Sequence, residues 1–268
     1  MRIRVFASSL IVAGLLLAGC TNQPETSATP SAKVLNEPTL HVKELMEKFK
    51  LENVDYAYVK VAIGNGTRDG AKALLIDARP NPKYLVSTIP SSLNIPDTQI
   101  DQYIGQLDKV AKDKEIIVFC GGWDCEKSPI VAGYLKEHGF TNVKLYQAGE
   151  PEWIVKNYPE IGLPAAQAIF KNNKALFMDA RPYAKYMAGT IPGSMYMSDE
   201  ELDTLKGRLP IDKTTPIISF CEGYNCAKSH NLAKKLQEFG YQKLVSMPVD
   251  TQNGKKLDSK PQPVALKK

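Results

Sequence analysis

Histidine is scarce in this chain. Three stand in 268 residues, His41, His138 and His230, and no two have the H-x-x-x-H spacing of a shared metal site. No Ser-His-Asp set, paired-carboxylate motif or phosphate-binding glycine loop is present, which excludes the common hydrolase and nucleotide-dependent mechanisms. Nothing in the sequence implies a cofactor, and no metal is expected. The longest apolar run, Val5 to Leu17, is too short for a comfortable membrane span. Charge of one sign is also lacking in the body of the chain. The formal +5 arises at the ends, from Arg2 and Arg4 and from five lysines against one aspartate in residues 251–268, so no nucleic-acid partner is expected.

The five cysteines are few but patterned. Four form two C-x4-C pairs inside a nine-residue stretch that occurs twice, Cys120 to Ser128 and Cys221 to Ser229. Each copy has a glycine two residues after its first cysteine, then an aromatic, then Asp or Asn, and closes on Lys-Ser. An apolar run, 115–119 or 216–220, enters each copy and a helix-like run leaves it. This order sets a sulfur over the start of a helix, where unpaired N–H groups and the positive dipole end favour an anion. A thiolate is such an anion, so a lowered pKa is expected for the leading cysteine. Asp124 beside Cys125 points the same way, because a neighbouring carboxylate disfavours a second negative charge.

The fifth cysteine ends the N-terminal segment. A basic start, the apolar run and Leu17-Ala18-Gly19-Cys20 resemble a bacterial lipobox, in which the cysteine is lipidated. Residues 1–19 are then a lipoprotein signal peptide and 20–38, rich in Thr, Ser, Pro and Asn, a flexible tether. The expected location is the bacterial cell envelope, outside the cytoplasm and held to a membrane by the lipid at Cys20. Thr21 is not an acidic residue, which favours the outer membrane over the inner. Disulfides persist in that compartment.

From Thr39 onwards the pattern alternates short apolar strands with amphipathic helices, implying an α/β fold with mostly parallel sheets flanked by helices. A helix is expected over 39–50, a strand or extended segment over 54–63, strands over 73–76, 115–119 and 143–146, and a helix over 97–112. Ser128 is expected to cap the helix that leaves the first loop, with Pro129 at its first position. The plan repeats at an offset of about 101 residues. That gives domains at 39–158 and 159–250 and a basic tail at 251–268. Nothing after Val245 matches Gly149 to Trp153, so the second copy is expected to lack its final helix.

With Asp77-Ala78-Arg79-Pro80, Thr88-Ile89-Pro90, the strand into Cys120, Gly139-Phe140, Gly149 and Trp153 in this order, and Asp179 to Pro182, Thr190 to Ser194, Cys221 and Gly240-Tyr241 repeating it, the chain resembles a tandem rhodanese-like sulfurtransferase. The match is to a C-x4-C variant of the loop, with Thr-Ile-Pro in place of the usual His-Ile-Pro. The resemblance implies a cysteine cradled by backbone N–H groups that takes a sulfane sulfur as a persulfide and passes it on. By position it makes Cys120 and Cys221 the nucleophiles, and Asp77, Arg79, Asp179 and Arg181 mainly structural.

The C-x4-C pairs admit three readings: persulfide sites at Cys120 and Cys221, redox couples in which Cys125 and Cys226 resolve the first cysteine, or disulfides that lock a loop in a non-catalytic binding or assembly module. A zinc site built from all four is weaker, since C-x4-C is wider than a zinc knuckle. The candidate catalytic residues are therefore Cys120, Cys221, Cys125 and Cys226. The substrate-binding positions are Gly121, Gly122, Trp123, Asp124 and Lys127 in the first loop and Glu222, Gly223, Tyr224, Asn225 and Lys228 in the second. Lys127 and Lys228 either bind an oxyanion or are solvated; Trp123 and Tyr224 either wall an entrance or pack on a neighbour. His230 can assist proton transfer in the second copy alone. The expected partners are a small sulfur-containing donor, a thiol acceptor and a protein redox or sulfur-relay partner.

Overall fold

The structure is a computed structural model that describes residues 36–248. Cys20, most of the tether and the tail lie outside the described residues, as does the segment in which a final helix of the second copy would fall. The first half runs α1 (Leu40–Lys48), β1 (Glu52–Asn53), α2 (Tyr56–Ala62), β2 (Leu74–Asp77), α3 (Asn81–Val86), β3 (Leu93–Asn94), α4 (Ile100–Tyr103), β4 (Ile116–Phe119), α5 (Lys127–Glu137), β5 (Val143–Tyr146) and α6 (Gly149–Lys156). The second runs α7 (Leu163–Lys171), β6 (Leu176–Asp179), α8 (Tyr183–Ala188), β7 (Met195–Tyr196), α9 (Leu202–Leu205), β8 (Ile217–Phe220), α10 (Lys228–Glu238) and β9 (Leu244–Met247).

Each half builds one sheet, ordered β1-β5-β4-β2-β3 in the first and β7-β6-β8-β9 in the second. Every pairing is parallel. Parallel sheets are covered on both faces, and so the central strands β4 and β8 are buried at every position. Alternate side chains go to opposite faces. Ile116, Val118 and Cys120 join Val131 and Leu135 of α5 on one side, while Ile117 and Phe119 join Tyr146 and Trp153 on the other. In the second half Ile217 meets Leu232 and Leu236, and Ile218 and Phe220 face Phe177.

In sheet 1 the outer edge of β5 is closed by β1, a strand with no counterpart in the second half among the described residues. The edge of β9 is met instead by the connection between the halves. Ile161 N–H donates to Ser246 O at 3.0 Å and Ser246 N–H to Pro159 O at 2.9 Å. Glu160 in the same stretch exchanges two 2.9 Å bonds with Thr88 of the first half. The connection thus ties the second sheet to the first half of the chain.

Three expectations are corrected. Residues 54–63 are largely helical: Asp55 caps α2 by accepting from Tyr58 N–H, and Val59, Ala62 and Ile63 form a buried helical face. The stretch 97–112 is broken into short 3-10 and α turns rather than one helix. Ser128 lies inside α5, which begins at Lys127 after Glu126 and has no side-chain cap. Its hydroxyl is buried beside the cysteine.

Candidate functional site

Each cysteine loop leaves the C-terminal end of its sheet's central strand and enters a helix within seven residues. Cys120 and Cys221, the first residues beyond β4 and β8, are fully buried. The chain then turns at Gly122 (φ +119°) or Gly223 (φ +82°), conformations that a side chain rarely adopts. Cys125 N–H closes the turn on Gly122 O at 3.0 Å, and Cys226 N–H closes its own on Gly223 O at 3.2 Å. The second cysteine thereby returns to the first, half-buried at the loop surface.

In the first loop the two sulfurs are bonded as the Cys120–Cys125 disulfide, with Cα atoms 6.3 Å apart. Cys120 Sγ also lies 3.0 Å from Ser128 Oγ. In the second loop Cys221 and Cys226 are free thiols. The Cys221 thiol donates to Cys226 O at 3.0 Å and lies 3.1 Å from Ser229 Oγ. The closing serine of each stretch thus holds the leading sulfur.

Acidity in the second loop runs opposite to the expectation. Burial, and then the adjoining Cys226, push the Cys221 thiol up. A hydrogen bond from Cys221 draws Cys226 down to about 6, helped by the backbone N–H groups of Glu222 and Lys228 and opposed by burial. The sulfur that sits over the helix start is the second of the pair. The sequence places the leading cysteine near that helix without revealing that the turn delivers its partner there.

The polar surroundings differ between loops. The first is held by Gln147, fully buried, whose amide donates to Gly122 O at 2.9 Å and Cys125 O at 2.8 Å and accepts from Ser128 at 3.1 Å. Sequence reasoning missed Gln147, which stands one residue past β5. Its register equivalent is Pro248, unable to make these contacts. The second loop is held from the first half of the chain: Arg68 N–H donates to Tyr224 O at 3.2 Å and Asp69 N–H to Asn225 Oδ1 at 3.3 Å. The Arg68 guanidinium stacks on the Tyr224 ring at 3.7 Å.

Among the proposed binding positions, both lysines are ion-paired, Lys127 with Asp97 at 2.9 Å and Lys228 with Glu200 at 2.6 Å. Trp123 packs against the core, and its carbonyl accepts from Thr39 N–H at 3.3 Å. Gly121, Asp124, Glu222 and Asn225 are exposed at the loop surfaces. Glu222 pairs with Lys185 at 2.5 Å. His230 is buried where the halves meet, beside Gly66, Tyr158 and Glu160. Its Nδ1 lies 3.5 Å from Tyr158 Oη, its Nε2 has no hydrogen-bond partner among the described residues, and burial pushes the imidazole down to about 3. The ring thus belongs to the junction of the halves.

The model of the rhodanese-like domain matches the chain twice, over residues 60–156 and 164–248. The chain belongs to the rhodanese-like family. An HTH-type transcriptional regulator of Mycobacterium tuberculosis is 28% identical over 92 residues, 34% of this chain and 39% of that protein. The tRNA uridine(34) hydroxylase of Pelagibacter ubique is 27% identical over 166 residues, 62% of this chain and 50% of that protein. The chain thus spans half or less of the length of these curated relatives. Among solved structures, that of a 3-mercaptopyruvate sulfotransferase of Escherichia coli is 18% identical with a TM-score of 0.35, covering 75% of this chain and 98% of that one.

In this rhodanese-like chain the Asp-Ala-Arg-Pro motifs brace the sheet ends. Asp77 accepts from the backbone and guanidinium of Arg79, which reaches Ser87 O at 2.6 Å and Glu150 at 2.9 Å. Thr88, standing where the usual motif has histidine, donates its hydroxyl to Asp77 at 2.9 Å. Asp179, Arg181 and Thr190 repeat this set, and Glu222 of the second loop stands 4.0 Å from Arg181.

Proposed function

We propose that the protein transfers sulfane sulfur through its two C-x4-C loops, each a cysteine couple that cycles between dithiol, persulfide and disulfide. The observation that carries this reading is the shared loop geometry: the strand delivers one buried sulfur, and the turn returns a second, more exposed one beside it at the helix start. In the second loop burial and acidity favour Cys226 as the entering sulfur and Cys221 as the resolving one, the reverse of the order implied by position in the family.

In the proposed cycle the Cys226 thiolate attacks the outer sulfur of a donor, forms an S–S bond and expels the rest of the donor as its anion. The persulfide then passes its outer sulfur to a thiolate acceptor, and Cys226 leaves as the thiolate. Without an acceptor, Cys221 attacks the inner sulfur, expels hydrosulfide, which takes up the released proton, and closes the disulfide. An external dithiol restores the couple, being oxidised as the pair is reduced. We place this chemistry outside the cytoplasm, on a protein anchored by lipid at Cys20, with the outer membrane favoured.

The test is intact-mass analysis of the reduced protein after exposure to a sulfane donor, where each persulfide adds about 32 Da. Cys221→Ser is expected to accumulate that mass on the second loop, and Cys226→Ser to lose it. Gain on Cys226→Ser alone restores the leading-cysteine order. No gain on any variant, with both pairs reoxidising unchanged, leaves a non-catalytic module with loop-locking disulfides, the reading that the Cys120–Cys125 bond favours for the first loop. Cys20→Ser is expected to release the protein from membranes, and a variant that still sediments with them removes the anchor from this reading.

A further inference from the structure

The two loops share a backbone plan and differ in charge at the residues that flank the more exposed sulfur. Cys125 stands between Asp124 and Glu126, both exposed. Asp124 makes no ion pair among the described residues. Glu126 is met at 2.9 Å by His41, which also faces Glu44 at 3.8 Å. The adjoining lysine, Lys127, is taken up by the half-buried Asp97 at 2.9 Å. Cys226 stands between Asn225 and Ala227. The second loop has its own carboxylate, Glu222, but Lys185 holds it at 2.5 Å and Arg181 lies 4.0 Å away. The Arg68 guanidinium, supplied by the first half, stacks on the ring of Tyr224 two residues before Cys226.

We infer that Asp124 and Glu126 are specificity-determining residues that turn anions away from the first loop, so that anionic sulfur donors are served by the second loop and uncharged thiols or disulfides by the first. This rests on the sulfur-transfer reading given above, but the discrimination itself is a property of the loops and can be read without any transfer. An anion approaching Cys125 meets two like charges on adjacent residues. The same anion approaching Cys226 meets an amide, a methyl group and one carboxylate that is paired with Lys185. Repulsion between unit charges at loop-surface distances changes a rate by roughly 3- to 10-fold at low ionic strength and fades as salt shortens the Debye length.

The probes are iodoacetate, an anion, and iodoacetamide, its uncharged counterpart. The full-length protein is reduced, freed of reductant and treated with each in separate reactions at low ionic strength. The alkylation rate of each loop is followed by peptide mass spectrometry. Taking the iodoacetate-to-iodoacetamide ratio within one loop cancels differences in thiol acidity and access. The second loop's ratio is expected to exceed the first's by roughly 3- to 10-fold at low salt, and the gap to shrink at about 0.5 M salt. Asp124→Asn with Glu126→Ala is expected to raise the first loop's ratio to that of the second. Asn225→Asp with Ala227→Glu should lower the second loop's ratio. Equal ratios in the unmodified protein, ratios that ignore the exchanges, or a first loop that takes neither reagent after reduction overturn the inference. If the ratios behave as expected but no loop gains sulfur from a donor, the selectivity stands and the sulfur-transfer reading falls.

Discussion

Two thiols that share one site cannot both be acidic. When one ionises, the other serves it best as a hydrogen-bond donor, so the pair divides into an acidic member and a protonated member. In the second loop the division follows burial. Cys221 is fully buried against Ser229, whereas Cys226 is half-buried and gathers the N–H groups of Glu222 and Lys228. Alkylation of Cys226 in the reduced protein is therefore expected to switch on with a midpoint near 6. Cys221→Ala, which removes the hydrogen-bond donor that chiefly stabilises this thiolate, should raise the midpoint toward the ordinary thiol range, about 8.5. A midpoint unmoved by that substitution, read from initial rates between pH 5 and 9, means that the backbone cradle alone sets the acidity.

At the scale of elements, the first loop depends on the segment between β5 and α6. Gln147 satisfies two loop carbonyls at once, and Gln147→Ala leaves them without their buried partner, a loss of about 1–3 kcal/mol by the usual cost of an unsatisfied group. The expected readouts are a lower denaturant midpoint and faster reduction of Cys120–Cys125 by an external dithiol. Gly149 is equally constrained. At φ +67° an added Cβ would stand 2.3 Å from Cys120 O, and Glu150 N–H donates to that carbonyl at 3.1 Å. Gly149→Ala must move backbone against backbone, with an expected destabilisation of at least about 1–3 kcal/mol from strain alone. Urea unfolding that matches the unsubstituted protein would show that α6 can shift freely. The second loop has neither residue and borrows its support from the turn carrying Arg68 and Asp69.

For the molecule as a whole, the seam between the halves makes stability depend on pH. Burial pushes the Glu160 carboxyl up to about 8 from an ordinary 4.5, with the nearby Arg68 charge and a Ser91 N–H acting against the rise. Between those values the folded chain keeps a proton that the unfolded chain releases, so this contribution to stability falls as pH rises. His230 is pushed down to about 3 from 6.5, mainly by burial. Between those values the unfolded chain binds the extra proton, so this contribution falls as pH drops. The two slopes oppose each other from about 4.5 to 6.5, giving a plateau there, with a decline below it from His230 and above it from Glu160. Glu160→Gln is expected to flatten the alkaline decline up to about pH 8 and leave the acidic one. The check is the urea midpoint at each pH. An alkaline limb that persists in Glu160→Gln assigns the dependence to another group.

The repeat, the parallel α/β plan, the strand-to-loop-to-helix path at each C-x4-C pair and the glycine between the cysteines are all legible in the order of residues alone. All of these are local or periodic. A buried parallel strand reads as a short apolar run, and a left-handed turn favours glycine wherever it occurs. The remaining features depend on contacts that form only when the chain folds. The helix over 56–62 depends on Asp55 as its cap and on a buried face that a loosely alternating sequence hides. Ser128 and Ser229 serve the sulfurs rather than the helix ends. Gln147 and Arg68 reach the loops from positions distant in sequence. The order of acidity within the second pair was settled the same way, because a thiol's pKa is a sum over burial and through-space donors, and those neighbours exist only once the chain has folded.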